Sequence, residues 1–403
     1  MKTKKAATVF IFITVLIDVI GIGIVIPIIP ALIQELVGGT ISDASHYAMG
    51  LVLIYASMQF LFSPIIGGLS DQYGRRKVLL FSLLGFGIDS LFQALAPTIG
   101  WLFIGRTIAG ITGASFTTAN AYIADVSTPE KRAQNFGLLG AAFGLGFIIG
   151  PTLGGVLGSY DTRLPFYASA VLSLLNWLYG YFVLPESLAP ENRRKFDIKR
   201  ANPIGSLLNL KRYPFILSLV ASLFLVYVAG HAVQSSWSFY TIEKFKWTEM
   251  QVGLSLGFVG LMIAIVQGGL IRVIIPKIGQ VKSLFVGLTI NMFGLLAFAF
   301  VTQGWMMYAI MVPFALSGLA NPAFQGIISS QVKPNEQGEL QGALTSVLSI
   351  AAIVGQPLML GLFGYFSAKD SEIYFPGAPF LLGSFFCLIS IIVTRKILAS
   401  QKG

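Results

Sequence analysis

Residues 67–77 read Gly67-Gly-Leu-Ser-Asp71-Gln-Tyr-Gly74-Arg75-Arg76-Lys77 and lie between two apolar stretches, at about 47–70 and 76–96. Each stretch is near the roughly 20 residues that cross a bilayer as a helix. Gly74 can adopt a left-handed turn that other residues resist, which predicts a very tight hairpin between two membrane spans. Asp71 can pair there with a nearby base or lie against a helix N-terminus, although anchoring by the basic residues explains part of the pattern.

The composition predicts that the whole chain is an integral membrane protein. Of its 403 residues 55% are hydrophobic and 11% are charged, too little polar surface to cover a soluble globule of this size. We therefore predict an all-α fold of 12 transmembrane helices arranged as two pseudo-symmetric six-helix bundles. The apolar stretches lie at about 7–34, 47–70, 76–96, 99–124, 133–158, 164–184, 213–240, 249–272, 281–302, 304–329, 338–365 and 376–395.

The distribution of charge predicts the orientation of the chain. The net charge of +10 could suggest nucleic acid as a partner, but the 27 Lys and Arg are distributed unevenly. Apart from Arg106, the N-terminal tail and the even-numbered gaps hold 22 of them and the odd-numbered gaps hold four. Basic residues concentrate on the cytoplasmic side of membrane proteins. We expect both termini in the cytoplasm, a lipid bilayer and no nucleic acid as partner, and a monomer.

A long polar segment predicts a division of the chain into two halves. We expect an N-terminal six-helix bundle over 1–184, a cytoplasmic linker over 185–212 and a C-terminal six-helix bundle over 213–403. Basic turns centred on Gly74 and Gly279 follow the second and eighth stretches. Six plus six spans with matched turns indicate an internal duplication, the architecture of alternating-access transporters.

Three charged residues, Asp18, Asp89 and Arg106, lie well inside the apolar stretches, whereas the other 41 of the 44 charged side chains lie between them. A charge inside a bilayer is costly, so it normally faces a partner or a wet cavity. We expect the three to line one cavity in which Arg106 pairs with one carboxylate at a time. A buried ion pair that only joins two helices is the structural alternative.

Neutral polar residues inside other stretches are candidates for a substrate cavity, because they can orient a ligand without a large desolvation cost. For each of them, hydrogen bonding between helices is an equally good explanation. The lone cysteine, Cys387, cannot form an internal disulfide, and no set of residues has the spacing of metal ligands or of a catalytic centre. The cavity candidates are Gln59, His231, Gln234, Gln267, Asn291, Asn321 and Gln325.

Glycines crowd the fifth stretch at a spacing of about one helical turn. Small residues in this pattern allow another helix to approach closely, and a proline can bend the span. A packing seam and a hinge or seal are both open interpretations. The residues are Gly137, Gly146, Gly150, Pro151, Gly154 and Gly155.

These motifs together resemble the major facilitator superfamily, and within it the tetracycline/proton antiporter branch of the drug/proton antiporters. The hairpin 67–77, Arg106 with Gly110 and the glycine motif of the fifth stretch are similar to superfamily and antiporter motifs. Asp18 to Pro27 and Leu83 to Asp89 resemble the tetracycline branch specifically. The resemblance implies that Asp18, Asp89 and Arg106 couple proton and substrate movement. It also implies a cytoplasmic gate formed by Gly67, Asp71, Gly74, Arg75, Arg76 and Asp125.

The resemblance implies an efflux transporter of the bacterial inner membrane that exchanges protons for a small amphipathic drug, without a cofactor and without enzymatic activity. The alternative is a proton-coupled importer or a uniporter of a small metabolite. Where the tetracycline branch has an acidic residue in the ninth span and a histidine in the eighth, this chain has Asn291 and Ile263. The substrate is therefore expected to be tetracycline-like or one of several amphipathic drugs.

Overall fold

The computed structural model describes residues 2–113, 115–127, 129–193, 195–196, 214–331 and 337–400. These residues form helices and connecting turns, without strands. By length and composition, ten helices in this part of the chain could cross a membrane. The predicted all-α membrane fold is confirmed.

The helices follow the predicted stretches closely. The first eight are α1 (Lys2–Val25), α2 (Ile29–Val37), α3 (Ile41–Tyr73), α4 (Arg75–Leu95), α5 (Ile99–Thr112), α6 (Ser115–Val126), α7 (Pro129–Gly158) and α8 (Leu164–Val183). The later ones are α9 (Pro214–Phe245), α10 (Glu249–Ile265), α11 (Ile271–Ile278), α12 (Gln280–Phe300), α13 (Gly304–Phe314), α14 (Ala320–Ser329), α15 (Gln337–Ser367) and α16 (Ala378–Ser400).

Two predicted stretches of the first half contain breaks that their apolar sequence does not reveal. The first stretch turns around Pro27, which lacks an amide hydrogen, so that α1 ends before it and α2 begins after it. The fourth stretch is interrupted at Gly113, whose backbone is not helical, with φ −70° and ψ 62°. The fourth span therefore consists of α5 and α6 instead of one continuous helix.

Two stretches of the second half change their helical winding. In the eighth, α10 and α11 are joined by a π-helical turn, Val266–Leu270, which contains two adjacent glycines. In the tenth, a 3₁₀ turn, Ala315–Leu319, follows Pro313 and leads into α14. Proline and glycine are the usual causes of such irregular turns because they weaken or remove backbone hydrogen bonds.

The turns at Gly74 and Gly279, which the sequence predicts to be equivalent, have the same backbone conformation. Gly74 has a φ of +104° and Gly279 a φ of +81°, a region that favours glycine. Gly74 lies directly before α4, and Gly279 directly before α12. The tight hairpin predicted at 67–77 is confirmed, and its counterpart has the same form.

The N-terminus of α4 is capped from a distant part of the chain. Gly74 has no side chain to cap this helix, and Glu186 takes that role. One Glu186 oxygen accepts the amide hydrogen of Arg75 at 2.9 Å, and the other accepts that of Arg76 at 3.3 Å. A carboxylate is stabilised there by unpaired amide groups and the helix dipole.

The residues cluster into two compact units. The first comprises Met1–Gly38, Ile54–Asn202 and Thr248–Gly260, and the second comprises Gly39–Leu53, Pro203–Trp247 and Leu261–Gly403. Each unit thus includes one segment from the other predicted half. The bundles over 1–184 and 213–403 stay a prediction, and most of the linker 185–212 lies outside the described residues.

In the first unit, α1 is held by the glycines of α7. A Cβ added to Gly150 would lie 2.7 Å from the Ile20 carbonyl oxygen, and one added to Gly154 would collide with the backbone of Ile24. On the other side of α7, a Cβ on Gly155 would lie 3.0 Å from the Gly253 Cα of α10. The stripe therefore packs against two helices, and α1 passes within backbone contact of α7.

Hydrogen bonds between helices supplement this packing. Ser169 of α8 donates to the carbonyl oxygen of Gly21 at 2.9 Å, and Asn176 donates to that of Thr14 at 2.8 Å. In the second unit, Ser222 of α9 lies 2.7 Å from the Thr394 hydroxyl of α16. Such polar contacts hold membrane helices together where the hydrophobic effect cannot.

Replacing Gly154 by alanine should destabilise the protein by about 1–3 kcal/mol, because the new methyl group must displace the α1 backbone. The matched control is Gly144→Ala in the same helix, where an added Cβ meets nothing within 4 Å. That control should be neutral or stabilising by up to about 1 kcal/mol. The check is the thermal unfolding midpoint in detergent. Equal midpoints for the two variants would contradict the close packing of α7 against α1 at Gly154.

Replacing Glu186 by alanine should lower the free energy of unfolding by about 0.5–1 kcal/mol, because two amide groups of α4 lose their acceptor. Glu191→Ala, another exposed acid of the same segment, should have a smaller effect. Thermal unfolding measured side by side checks the difference, and an equal loss in both variants would rule out the cap.

Candidate functional site

Asp89 and Arg106 form an ion pair between α4 and α5. The Arg106 Nε donates to one Asp89 oxygen at 3.2 Å, and its terminal nitrogen donates to the other. The Asp89 side chain is fully buried. A two-pronged contact of this type is the strongest geometry that an arginine offers a carboxylate. Gly105 makes room for it, because a Cβ added there would lie 2.6 Å from an Asp89 oxygen.

Asp18 lies in a different environment. It is buried in α1 and accepts a hydrogen bond from the Ser115 hydroxyl at 2.7 Å. No ion pair to Asp18 forms within the part of the chain that the structure describes. Ser115 is the first residue of α6, so the break in the fourth span determines this contact. Arg106 pairs with Asp89 in this structure. That Arg106 pairs with one carboxylate at a time, and that all three line a common cavity, stay predictions.

Tyr55 and Gln59, one turn apart on α3, complete this region. The Gln59 amide donates to the Tyr55 hydroxyl at 3.2 Å and to the carbonyl oxygen of Gly113 at 3.1 Å. The Arg106 guanidinium carbon lies 5.6 Å from the centre of the Tyr55 ring. Gln59 is one of the cavity residues predicted from the sequence, whereas Tyr55 and Ser115 are not. The spacing of four residues between Tyr55 and Gln59 was the available signal.

The motif residues of the hairpin contact one another at one end of the first unit. Arg75 pairs with Asp71 at 2.5 Å and with Asp125 of α6 at 3.2 Å. Its terminal nitrogen also donates to the Ser70 hydroxyl at 2.9 Å. We call Ser70, Asp71, Arg75 and Asp125 the hairpin cluster. Of the two roles expected for Asp71, the described contact is pairing with a nearby base.

Other motif residues of the hairpin have separate contacts. Arg76 donates to the backbone oxygen of Tyr181 and lies over its ring, with 5.8 Å between the guanidinium carbon and the ring centre. A Cβ added to Gly67 would meet nothing within 4 Å, so its space is open. Glu186, which sequence reasoning missed, acts on the same turn from 111 residues away.

In the second unit the polar candidates form two small groups. Tyr227 of α9 donates to Asn321 at 3.3 Å and is also hydrogen-bonded to Gln325. His231, one turn along, is hydrogen-bonded to Gln234 and is buried. Its Nδ1 atom has no hydrogen-bond partner among the described residues. These contacts join α9 to α14 and place neutral polar groups on one face of α9.

The remaining candidates lie apart from these groups in sequence and setting. Asn291 is a buried residue of α12. Gln267 lies in the π-helical turn between α10 and α11, with an exposed side chain. Ile263 of α10 is also exposed. Gly137 and Gly146 lie in α7 with the other glycines of the stripe.

Known proteins are similar to this chain along nearly its whole length. The family model of the Major Facilitator Superfamily matches residues 11–356. The tetracycline resistance protein, class C, of Escherichia coli is 36% identical over 396 residues, covering 98% of this chain and 98% of that protein. The class H protein of Pasteurella multocida is 34% identical, covering 94% of this chain and 93% of the relative.

Solved structures show the same fold. The human organic anion transporter MFSD10 superposes with a TM-score of 0.72 at 21% identity, covering 97% of this chain and 99% of that one. A bacterial homologue of the human lysosomal transporter Spinster, inward-facing and occupied, has a TM-score of 0.74 at 15% identity, covering 97% and 96%. As its motifs predicted, this chain belongs to the major facilitator superfamily.

Proposed function

We propose that this protein is a secondary active efflux transporter that exchanges inward-moving protons for an outward-moving amphipathic drug by alternating access. One observation supports this above all. A carboxylate without a cationic partner among the described residues, Asp18, belongs to the same compact unit as a paired one, Asp89, in a chain that shares about a third of its residues with tetracycline resistance proteins.

The two carboxylates suggest different roles in the exchange. Asp89 is compensated by Arg106, so its protonation would break a buried pair and leave a cation alone, which is costly. Protonation of Asp18 instead removes a buried charge whose described hydrogen-bond partner is the hydroxyl group of Ser115. We propose that Asp18 carries the proton and that the pair of Asp89 and Arg106 responds to the change of charge beside it.

One proton provides enough energy for this exchange. Its inward movement releases about 2.3 kcal/mol per 100 mV of membrane potential. A pH difference of one unit adds about 1.4 kcal/mol. Together these sustain a gradient of a few hundredfold for an uncharged substrate, since about 1.4 kcal/mol corresponds to a factor of ten. A third titrating acid is therefore not required.

The polar side chains of the second unit support the proposal that the substrate is uncharged or amphipathic. The groups on α9 and α14 are hydroxyl, amide and imidazole groups, which bind hydrogen-bonding ligands without holding a fixed charge. Tetracyclines are the named drugs of the relatives. Because Asn291 and Ile263 replace ionisable residues of that branch, we propose a tetracycline-like or multidrug substrate range rather than tetracycline alone.

We further propose a position in the bacterial inner membrane, as a multi-pass monomer with both termini in the cytoplasm. The hydrophobic helices support a membrane location. The distribution of lysine and arginine among the connecting segments supports the orientation.

Asp18→Asn and Asp89→Asn should each abolish proton movement driven by substrate, because the first removes the titrating group and the second leaves Arg106 unpaired. The measurement is the proton flux in everted vesicles after addition of tetracycline and of a panel of amphipathic drugs. Asp370→Asn, an exposed acid outside the site, is the control and should behave like the wild type.

Undiminished proton flux in both site variants would refute this function. The direction of transport is tested separately by imposing a pH gradient on everted and on right-side-out vesicles. Proton-driven accumulation in everted vesicles supports export. Accumulation in right-side-out vesicles would instead support a proton-coupled importer, and equilibration without a gradient would support a uniporter.

Gly105→Ala should lower the rate of exchange about ten- to a hundredfold, because the added methyl group displaces the Asp89 carboxylate from Arg106. Gly100→Ala, on the same helix, is the matched control, since its nearest neighbour would be the Thr98 hydroxyl at 3.8 Å. Rates per folded transporter, determined in proteoliposomes, check this. Equal rates for the two variants would show that the geometry of the pair is unimportant.

A further inference from the structure

We propose that Tyr55 is a positioning residue: its ring keeps the Arg106 guanidinium on Asp89 and thereby leaves Asp18 without a cationic partner. A role of Tyr55 in transport rests on the proposed proton exchange. The position of the Arg106 guanidinium does not depend on transport, and it can be tested without a transport measurement.

The backbone of α3 lies directly on α5 beside Arg106. A Cβ added to Gly110 would lie 2.7 Å from the Tyr55 carbonyl oxygen and 2.6 Å from the Met58 Cβ, so only glycine allows this approach. Arg106 precedes Gly110 by four residues and therefore lies one turn away on the same face of α5. The glycine thus brings Tyr55 next to the arginine.

The Arg106 guanidinium lies over the ring of Tyr55 while it is hydrogen-bonded to Asp89. Asp89 accepts hydrogen bonds from the edge of the guanidinium plane. The guanidinium carbon lies 5.6 Å from the centre of the Tyr55 ring, within the range of a cation–π contact. Arginine combines these two interactions because its planar group binds acceptors at its edge and aromatic rings at its face.

The hydroxyl group of Tyr55 fixes the ring from its other end. It accepts a hydrogen bond from Gln59, which also binds the carbonyl oxygen of Gly113. A Cβ added to Gly113 would lie 3.5 Å from the Tyr55 oxygen, so the hydroxyl group lies at the break in the fourth span. Two residues further along, Ser115 donates to Asp18.

Tyr55 is consequently close to both charged centres. The charges of Arg106 and Asp18 both act on it. An arginine side chain is long, and without the ring the guanidinium would lose this contact with α3 and keep only its hydrogen bonds to Asp89 among the contacts described above. Movement toward Asp18 would stabilise its carboxylate form, so a lower pH would be needed to protonate it.

The described side chains of the helices around α1 include no competing cation near Asp18. The helices α6, α7 and α8 pack most extensively against α1, and α4 approaches it through Phe86. Residues 78–95 of α4 contain one ionisable side chain, the acid Asp89. On α6 the groups are Tyr122 and Asp125, and Asp125 is bound by Arg75 in the hairpin cluster. Residues 139–158 of α7 contain no ionisable side chain, and α8 contributes tyrosines only. Among the described side chains of these helices none is a cation near Asp18, so we assign Arg106 of α5 as the cation that would move toward it.

The test is an infrared titration of the purified full-length protein. The Asp18 carboxyl band is identified by subtracting the spectrum of Asp18→Asn, and its midpoint is compared among variants of Tyr55. In Tyr55→Leu the midpoint should fall by about one to three pH units, because Arg106 gains access to Asp18. Tyr55→Phe keeps the ring and should keep the wild-type midpoint. Tyr47→Leu, an exposed tyrosine of the same helix, is the control.

An unchanged midpoint in Tyr55→Leu overturns the proposal, and so does a shift in Tyr55→Phe as large as that in Tyr55→Leu. If Tyr55→Leu does not accumulate, Tyr55→Met serves instead, because methionine fills irregular space without an aromatic face. Failure of the proposed function would be recognised differently, as an absence of substrate-driven proton flux in the wild-type protein. The titration would still decide the role of Tyr55.

Discussion

A charge or a free backbone group that lies at the depth of a bilayer must find a partner within the protein or in a cavity that the protein encloses, because the hydrocarbon core holds no water. This constraint explains the arrangement of the first unit. The break at Gly113 frees a carbonyl group, which Gln59 binds. The same break directs Ser115 to Asp18, and the buried charge of Asp89 is compensated by Arg106. The irregular part of the fourth span and the candidate site are therefore one structural feature.

Close approach of backbones is the second condition for this site. Gly150 and Gly154 bring α7 against α1, which carries Asp18, and Gly110 brings α5 against α3. Without a side chain at these positions, the polar groups of neighbouring helices come within hydrogen-bonding distance. The glycine pattern that resembles a family motif thus has a direct physical role, since it determines the distances on which the polar contacts depend.

The sequence predicted what depends on local chemistry or on composition. The positive φ of Gly74, the matched turn at Gly279, the membrane helices and the three charges inside them belong to this class. It did not predict which carboxylate pairs with Arg106, because that depends on distances between helices. It did not predict the contact of Ser115 with Asp18, because that follows a break at Gly113 that an apolar pattern does not reveal. It missed Glu186 because a cap supplied from 111 residues away leaves no periodic signal.

Helix α6 makes polar contacts at both of its ends. Ser115 at one end binds Asp18, and Asp125 at the other binds Arg75 of the hairpin cluster. The two residues are ten positions apart, which is about 15 Å along a helix. A helix of this length behaves as a stiff rod, so a sliding motion of a few ångströms would break both contacts together. The single short helix α6 thus links the buried carboxylate of Asp18 mechanically to the hairpin cluster.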